Sequence, residues 1–341
     1  MKTFAIIGVG RWGPNHVRNF NALKDCRVVA VADPQEYALA RIRARYPDVD
    51  CYADFHMILD RPDVDAVVVA TPTSLHAQVV REALQAGKHV LCEKPLTSES
   101  RDAWELVSLS EQKGLILMVG HVFLFNPGIE YLMRAVRDNM LGPLYYVDAI
   151  RTNLGPFRSD VNAAWDLASH DIYIFNSILG RRPVSVSAVG ASYLRPPVED
   201  LVFLTLQYDN GTMAHAHVSW LDPKKVRQIT IVGEKKMITW DEFGIPAPVM
   251  VYDRSVVREP AYSTFGEFQL LTREGDIMIP RIRPKEPLAV QAAEFTSRLD
   301  GNGMELGCGS ARQGAEVVDI LSAMTVSLKQ KGAMQEIHYG G

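Results

Sequence analysis

The chain has 341 residues, of which 47% are hydrophobic and 22% charged, and its formal net charge is −4. This length favours two domains with separate cores. The small negative charge, without a run of Lys or Arg, argues against a nucleic-acid partner. We expect neither a membrane span nor a signal peptide. The four cysteines show no C-x-x-C spacing, which is typical of a protein from the reducing cytoplasm rather than of a disulfide framework.

The first motif is a glycine-rich turn that follows an apolar run at residues 4–7. Gly8, Gly10 and Gly13 form the pattern G-x-G-x-x-G, with Arg11 and Trp12 inside the same loop. In this pattern the first glycine makes a tight turn, the second lets the backbone approach a pyrophosphate, and the third lets the helix pack close to the strand. The helix that follows would offer its N-terminal amides to the phosphates. The motif predicts a dinucleotide site.

A second apolar run, residues 27–32, ends in Asp33, which lies 20 positions after Gly13. The fingerprint places an acid there for the adenosine ribose diol. A carboxylate about 4 Å from the 2′-phosphate of NADP would repel each phosphate charge by roughly 4 kcal/mol at an effective dielectric constant of about 20. The next residues are Pro34 and Gln35, without an arginine to neutralise that phosphate. The sequence therefore favours NAD over NADP.

Residues 1–122 alternate short β-branched runs with helical patterns. Strands are predicted at 3–8, 27–32, 65–70, 88–92 and 115–119, and helices at 14–23, 35–46, 74–86 and 98–113. Such near-continuous apolar strands indicate a doubly wound parallel sheet, which is an α/β Rossmann domain. Ligands bind beyond the carboxyl ends of such strands. The candidate cofactor residues at these ends are Ala70, Thr71, Pro72, Thr73, His76, Glu93, Lys94, Pro95 and His121.

Residues 123–341 predict a second, α+β domain. After a helix at 127–140, alternating strands are predicted at 143–153, 184–194, 200–208, 212–221 and 226–232, interrupted by a helix at 165–179. Helices at 287–300 and 309–331 end the chain. Sequential antiparallel strands indicate an open sheet. We expect a homodimer or homotetramer that covers an apolar face of this sheet, formed by Val202, Leu204, Leu206, Met213, Val218 and Trp220.

Two sets of residues suggest chemistry. Lys94 follows the fourth strand, where a lysine beside the cationic nicotinamide has a reason to lose its proton; the alternative is a surface lysine that caps the strand. Asp166 and His170 are spaced i, i+4 on a predicted helix, so they share a face. The histidine would take a hydroxyl proton while the aspartate sets its tautomer or charge; the alternative is a surface pair. Because no third ligand is placed beside them, we expect no metal.

Together these motifs resemble the Gfo/Idh/MocA oxidoreductase family. Its members join a dinucleotide-binding domain to an α+β domain with an open antiparallel sheet. The resemblance implies that the lysine of Glu93-Lys94-Pro95 lies at the nicotinamide and the substrate. It also implies that Asp166 and His170 supply the acid and base.

Within that family, residues 10–15, 120–127, 151–155 and 160–166 resemble the nucleotide-sugar branch. The resemblance implies NAD-dependent oxidation of C3 in a UDP-N-acetylhexosamine. The alternatives are a polyol or inositol dehydrogenase, a deoxysugar ketoreductase, and a non-catalytic dinucleotide-sensing regulator. Residues expected beside the cofactor or the sugar nucleotide are His121, Asn126, Arg151, Asn153, Arg158 and Trp165.

Three of these residues have simpler interpretations. Asn126 with its following proline would start a helix, Arg151 would pair across a strand, and Trp165 would fill the domain junction instead of stacking on a ring.

Overall fold

The structure is a computed structural model that describes residues 1–158, 160–257, 271–302 and 309–340; Cys308 lies outside them. The chain divides into two compact units. The first unit comprises Met1–Phe125, Lys285–Ser322 and His338–Gly341, and the second comprises Asn126–Pro284 and Ala323–Ile337. Along the described ranges, no helix has the length and apolarity needed to cross a membrane.

The first unit is built on a parallel sheet whose six described strands have the order β3-β2-β1-β4-β5-β6. The strands are β1 (Lys2–Ile7), β2 (Cys26–Ala32), β3 (Asp50–Tyr52), β4 (Ala66–Val69), β5 (His89–Glu93) and β6 (Leu117–Gly120). The helices between them are α1 (Gly13–Asn21), α2 (Glu36–Arg45), α3 (His56–Leu59), α4 (Thr73–Gln85) and α5 (Ser100–Lys113). A 3₁₀ turn, Val122–Phe125, follows β6.

The predicted doubly wound sheet is confirmed. All four residues of β4 are buried, as expected for a strand that is covered on both faces. β3 and α3 were not predicted, because elements of three and four residues are too short to show a hydrophobic period.

The second unit contains a sheet whose nine described strands have the order β14-β13-β12-β11-β7-β10-β9-β8-β15. The elements are α6 (Pro127–Arg137), β7 (Leu144–Leu154), a π-helix (Ala164–Ala168), α7 (Ser169–Leu179), β8 (Ser185–Ala191), β9 (Leu201–Gln207), β10 (Met213–Ser219), β11 (Leu221–Gly233), β12 (Met237–Asp241), β13 (Val249–Val257) and β14 (Leu271–Met278). Three further elements follow: α8 (Pro287–Leu299), α9 (Ala311–Lys329) and β15 (Gln335–Glu336). The sheet is mainly antiparallel, as predicted, but β7 and β10 pair in parallel.

The exposed face of this sheet is not the one formed by the six apolar residues named in the sequence analysis. Five of the six residues expected to await a partner are buried in the chain itself, namely Val202, Leu204, Leu206, Val218 and Trp220. The sixth, Met213, is 44% exposed. Phe203 (38% exposed) and Tyr146 (46% exposed) lie on the same side of the sheet. Because side chains alternate along a strand, the fully apolar row turns inward. The mixed row of aromatic, His and Thr residues forms the outer face.

The first unit also includes a segment from the end of the chain. The prediction placed residues 123–341 in one domain, whereas Lys285–Ser322 groups with the first unit. The reason is visible in the packing of α8: the ring of Phe295, which is fully buried, lies 6.2 Å from Phe4 and 6.3 Å from Phe20. The first boundary falls after Phe125 instead of after residue 122.

Candidate functional site

The glycine-rich loop of the first unit has the geometry of an anion cradle. Gly8 has a φ of +92°, and a Cβ on it would lie 2.7 Å from the carbonyl group of Ala70. A Cβ on Gly13, where α1 begins, would lie 2.2 Å from the carbonyl oxygen of Gly8. In contrast, a Cβ on Gly10 would have no neighbour within 4 Å. The loop is therefore closed by backbone at Gly8 and Gly13 and open at Gly10, and α1, with its N-terminal amides, begins three residues after Gly10.

Asp33 holds this loop in place. It is 9% exposed, and its two carboxylate oxygens each accept a backbone N–H hydrogen bond of 2.9 Å, one from Val9 and the other from Gln35. A carboxylate has further lone pairs, so it can still accept a hydroxyl hydrogen bond. Pro34 beside it is exposed, as are Arg11 and Trp12 in the loop.

His76 joins the loops that follow β4 and β5. It is 1% exposed, and its ring nitrogens lie 2.9 Å from the carbonyl oxygen of Pro95 and 3.0 Å from that of Thr71. Burial lowers the pKa of His76, so the ring is uncharged near neutrality and donates its single N–H to one carbonyl at a time. His76 therefore lies within hydrogen-bond distance of both loops, the one after β4 and the one after β5. The Thr71 hydroxyl oxygen is also buried and makes no hydrogen bond with the described residues.

The turn Glu93-Lys94-Pro95 is anchored to α1 by a residue that sequence analysis missed. His16 is 1% exposed, and its Nε2 lies 2.8 Å from a carboxylate oxygen of Glu93, whose side chain is 15% exposed. Because a carboxylate accepts, Nε2 donates. The feature of the sequence that could have identified His16 is its position three residues after Gly13, on the helix that follows the glycine-rich loop. Through Glu93, His16 restrains the residue that precedes Lys94.

His121 lies in the same neighbourhood as Lys94. The ring is 2% exposed, and burial, with a further contribution from the positive charge of Lys94, lowers the pKa of His121 to about 3. The imidazole is therefore uncharged at neutral pH. It offers a neutral donor or acceptor next to the lysine and not a second cation.

In the second unit, the segment with Asp166 and His170 is not one regular helix. Residues Ala164–Ala168 form a π-helix, and α7 begins at Ser169. Single π turns inside helices occur frequently at functional sites. The predicted pair straddles this junction, with Asp166 in the π turn and His170 in the first turn of α7.

Both carboxylate oxygens of Asp166 accept hydrogen bonds. The indole N–H of Trp220 donates to Oδ2 over 3.2 Å, and the guanidinium of Arg158 donates to Oδ1 over 3.4 Å. Arg158 also pairs with Asp160. The Asp166 side chain remains 17% exposed. The sequence analysis predicted Arg158 as a substrate residue, and the structure places it against two carboxylates. Trp220 was not predicted at the site, because in the sequence it belongs to the apolar row of a predicted strand.

The prediction that Arg151 reaches a sugar or a diphosphate is wrong. Arg151 is 2% exposed and Asp171 is 1% exposed. The guanidinium donates to Asp171 through Nε at 3.0 Å and through a terminal nitrogen at 2.6 Å. The pair ties β7 to α7, next to His170. Asn153, which follows on β7, donates to the carbonyl oxygen of Gly155.

Two further predicted site residues have local roles. Asn126 caps α6, where its side chain accepts from the backbone N–H of Gly128 at 2.9 Å, so the helix-start interpretation is confirmed. The indole N–H of Trp165 donates to the Thr325 hydroxyl at 3.0 Å, within the second unit. In the parts of the chain that the structure describes, no group of three or more His, Cys, Asp or Glu could hold a metal.

Two family models match the chain. An oxidoreductase family described as an NAD-binding Rossmann fold matches residues 2–121, and the GFO/IDH/MocA C-terminal domain matches residues 129–239.

Individual relatives agree with these matches. The UDP-N-acetylglucosamine 3-dehydrogenase of Acidithiobacillus ferrooxidans is 31% identical over 69% of this chain and 72% of its own. Inositol 2-dehydrogenase 2 of Saccharopolyspora erythraea is 29% identical over 62% of this chain and 65% of its own, which is just under two thirds. Among solved structures, the WlbA dehydrogenase of Bordetella pertussis, in complex with NADH and UDP-GlcNAcA, is 22% identical. It covers 99% of each chain with a TM-score of 0.80, which shows a shared fold. From its motifs, its two domain matches and this relative of 31% identity, we conclude that the chain belongs to the Gfo/Idh/MocA family of oxidoreductases.

Proposed function

We propose that this protein is an NAD-dependent dehydrogenase that oxidises a secondary alcohol on a sugar ring, at C3 of a UDP-linked N-acetylhexosamine. The observation that carries the proposal is the similarity to a UDP-N-acetylglucosamine 3-dehydrogenase along 69% of the chain. The presence of Lys94, Asp166 and His170 supports an enzyme over a dinucleotide-sensing regulator.

The first unit fits a nicotinamide dinucleotide. The open side of Gly10 would admit the pyrophosphate, which the amide end of α1 would face. The carboxylate of Asp33 would accept from the ribose diol and disfavour the extra phosphate of NADP. When bound, NAD supplies the hydride acceptor.

The chain's own residues would handle the proton. As the hydride leaves the sugar carbon, the hydroxyl proton goes to His170 or to Lys94, and we favour His170 because a neutral imidazole accepts a proton near pH 7. The Asp166 carboxylate, whose two oxygens accept hydrogen bonds from Trp220 and Arg158, would stabilise the imidazolium. The uncharged ring of His121 would form a hydrogen bond with a hydroxyl or amide group of the substrate or the cofactor without adding positive charge.

A second candidate is a polyol dehydrogenase. Several relatives named inositol dehydrogenases are between 27% and 30% identical to this chain. Their similarity covers shorter parts of this chain than the similarity to the UDP-sugar enzyme does.

We predict that the protein reduces NAD in the presence of UDP-N-acetylhexosamines and not in the presence of inositols. The measurement is absorbance at about 340 nm with a panel of UDP sugars, free sugars and inositols. Turnover of inositols alone would favour the second candidate. The absence of turnover, together with calorimetric NAD binding, would favour the sensor.

We predict that Asp33→Ala weakens the binding of NAD. The ratio of the Michaelis constants for NADP and NAD should fall by at least about tenfold, since relief of roughly 1.4 kcal/mol of repulsion suffices for that change. Because Asp33 also holds Val9 and Gln35, Asp33→Asn is the matched variant: it removes the charge and keeps one acceptor oxygen. The measurement is the pair of Michaelis constants for the two cofactors. An unchanged ratio in both variants would show that Asp33 does not read the ribose.

We predict that His170→Ala lowers kcat by about 10²- to 10⁴-fold, the usual contribution of a general base, while NAD affinity changes little. Asp166→Asn should cost less, because it leaves the base in place. Matched controls are His56→Ala and Lys113→Ala, both exposed in the first unit. The measurement is single-turnover reduction of NAD. A larger loss in Lys94→Ala would make the lysine the main base, and near-normal rates in both His170→Ala and Lys94→Ala would contradict the mechanism.

We also propose that the outer face of the second unit's sheet forms a homo-oligomer. Paired positions on β8, β9, β10 and β7 bring Val189, Phe203, His217 and Ile150 into one row. The rings of Phe203 and His217 stack at 4.5 Å, and Val189 and Phe203 are 48% and 38% exposed. An exposed aromatic and aliphatic row of this kind is typical of a protein contact.

We predict a dimer or tetramer in light scattering at micromolar concentration, and a smaller species for Phe203→Asp, because a charge in the centre of the row would be buried unpaired. Tyr37→Asp is the control, since Tyr37 is 65% exposed on α2 in the first unit. A monomeric wild-type protein would contradict the proposal.

A further inference from the structure

The side chain of Trp220 is an unusual neighbour for a carboxylate. It is 1% exposed, between β10 and β11, whereas the Asp166 side chain that it contacts is 17% exposed. The Trp220 backbone is held on both sides: its N–H donates to the carbonyl oxygen of Asp200 at 2.9 Å, and its carbonyl oxygen accepts from Gly155 at 3.0 Å. The indole is thus a fixed donor that reaches from the core to the edge of the site.

The contact is specific to one oxygen. The indole N–H donates to Oδ2 of Asp166, while Arg158 donates to Oδ1. The ring of Phe157 lies edge-on to Trp220, with centroids 6.4 Å apart and an interplanar angle of 90°. Phe157 is 44% exposed and Arg158 also pairs with Asp160, so this side of the carboxylate is more open to solvent. Trp220 is more deeply buried than Arg158.

The local backbone makes such a restraint necessary. Asp166 lies in the π-helix Ala164–Ala168, and its backbone N–H donates to the carbonyl oxygen of Asn162 at 3.1 Å. A short turn of this kind does not by itself hold a side chain in one rotamer. The indole N–H of Trp220, between β10 and β11, does, because turning the carboxylate would leave this buried donor without its acceptor.

We propose that Trp220 is a positioning residue: its indole N–H fixes the orientation of the Asp166 carboxylate for the proton transfer. This inference rests on the proposed function of Asp166 and His170. Trp220 does not itself exchange a proton with the substrate. It acts through Asp166, so its contribution should vanish when Asp166 no longer carries a carboxylate.

The kinetic test uses Trp220→Phe, which removes the N–H and keeps an aromatic ring, beside Trp220→Tyr in case one variant fails to fold. The matched control is Trp240→Phe, another tryptophan that is 1% exposed in the same unit and lies against Gly128. We expect kcat to fall about 10- to 100-fold, the value of a hydrogen bond to a charged group, with KM for NAD unchanged. The acid limb of the pH–rate profile should move to higher pH, because the carboxylate loses a donor.

A double-mutant cycle separates positioning from packing. In an Asp166→Asn background, Trp220→Phe should lower kcat much less than it does in the wild-type protein. Additive losses, or equal losses in Trp220→Phe and Trp240→Phe, would overturn the inference.

A spectroscopic test does not depend on turnover. The protein has five tryptophans, so its indole N–H signals in ¹⁵N-resolved NMR are few, and Trp220→Phe identifies the one from Trp220. Asp166→Ala should shift this signal and speed its hydrogen exchange, whereas His56→Ala should not. An unmoved signal would overturn the contact itself. If the contact is present but the wild-type protein oxidises no sugar, it is the proposed function that fails.

Discussion

The first unit depends on the close approach of α1 to the end of β1. With a Cβ on Gly13 only 2.2 Å from the Gly8 carbonyl oxygen, any side chain at that position would push the helix away. The short distance places the amide end of α1 at the mouth of the loop and brings His16 within 2.8 Å of Glu93. The same loop position lets Val9 donate to Asp33. The glycine-rich loop, Asp33 and the turn Glu93-Lys94-Pro95 thus share one steric constraint.

Carboxylates in both units are held by donors from other elements. Asp33 accepts from the glycine loop, Glu93 from α1, and Asp166 from the chain between β10 and β11. Such preorganised charges need little rearrangement when a reaction develops charge beside them. Asp171 differs, because it is 1% exposed and bonded to buried Arg151. Removing one partner of such a buried pair usually costs about 3–5 kcal/mol, so its role is to hold α7.

Two aspartates near the start of α7, Asp166 and Asp171, differ in burial and in their hydrogen-bond partners. Asp171 faces the core and pairs with β7, while Asp166, one turn earlier, remains partly exposed. Asp166 lies in the π-helix and Asp171 in the regular α7 that follows, so an irregular turn separates the directions of the two side chains. The segment that holds Asp166 and His170 is therefore tied to neighbouring strands through Asp166 and Asp171.

The Rossmann fold of the first 120 residues, the family and the mainly antiparallel second sheet could all be predicted from the amino-acid sequence. These features rest on local patterns: buried β-branched runs, a glycine fingerprint and short turns. Three features became visible only in the folded chain: Arg151 pairs with Asp171, the Trp220 indole donates a hydrogen bond to Asp166, and Lys285–Ser322 groups with the first unit. Each of these contacts joins residues at least 20 positions apart. A polar side chain looks the same in a sequence whether it faces a substrate or an opposite charge in the core, because its partner is chosen by the fold.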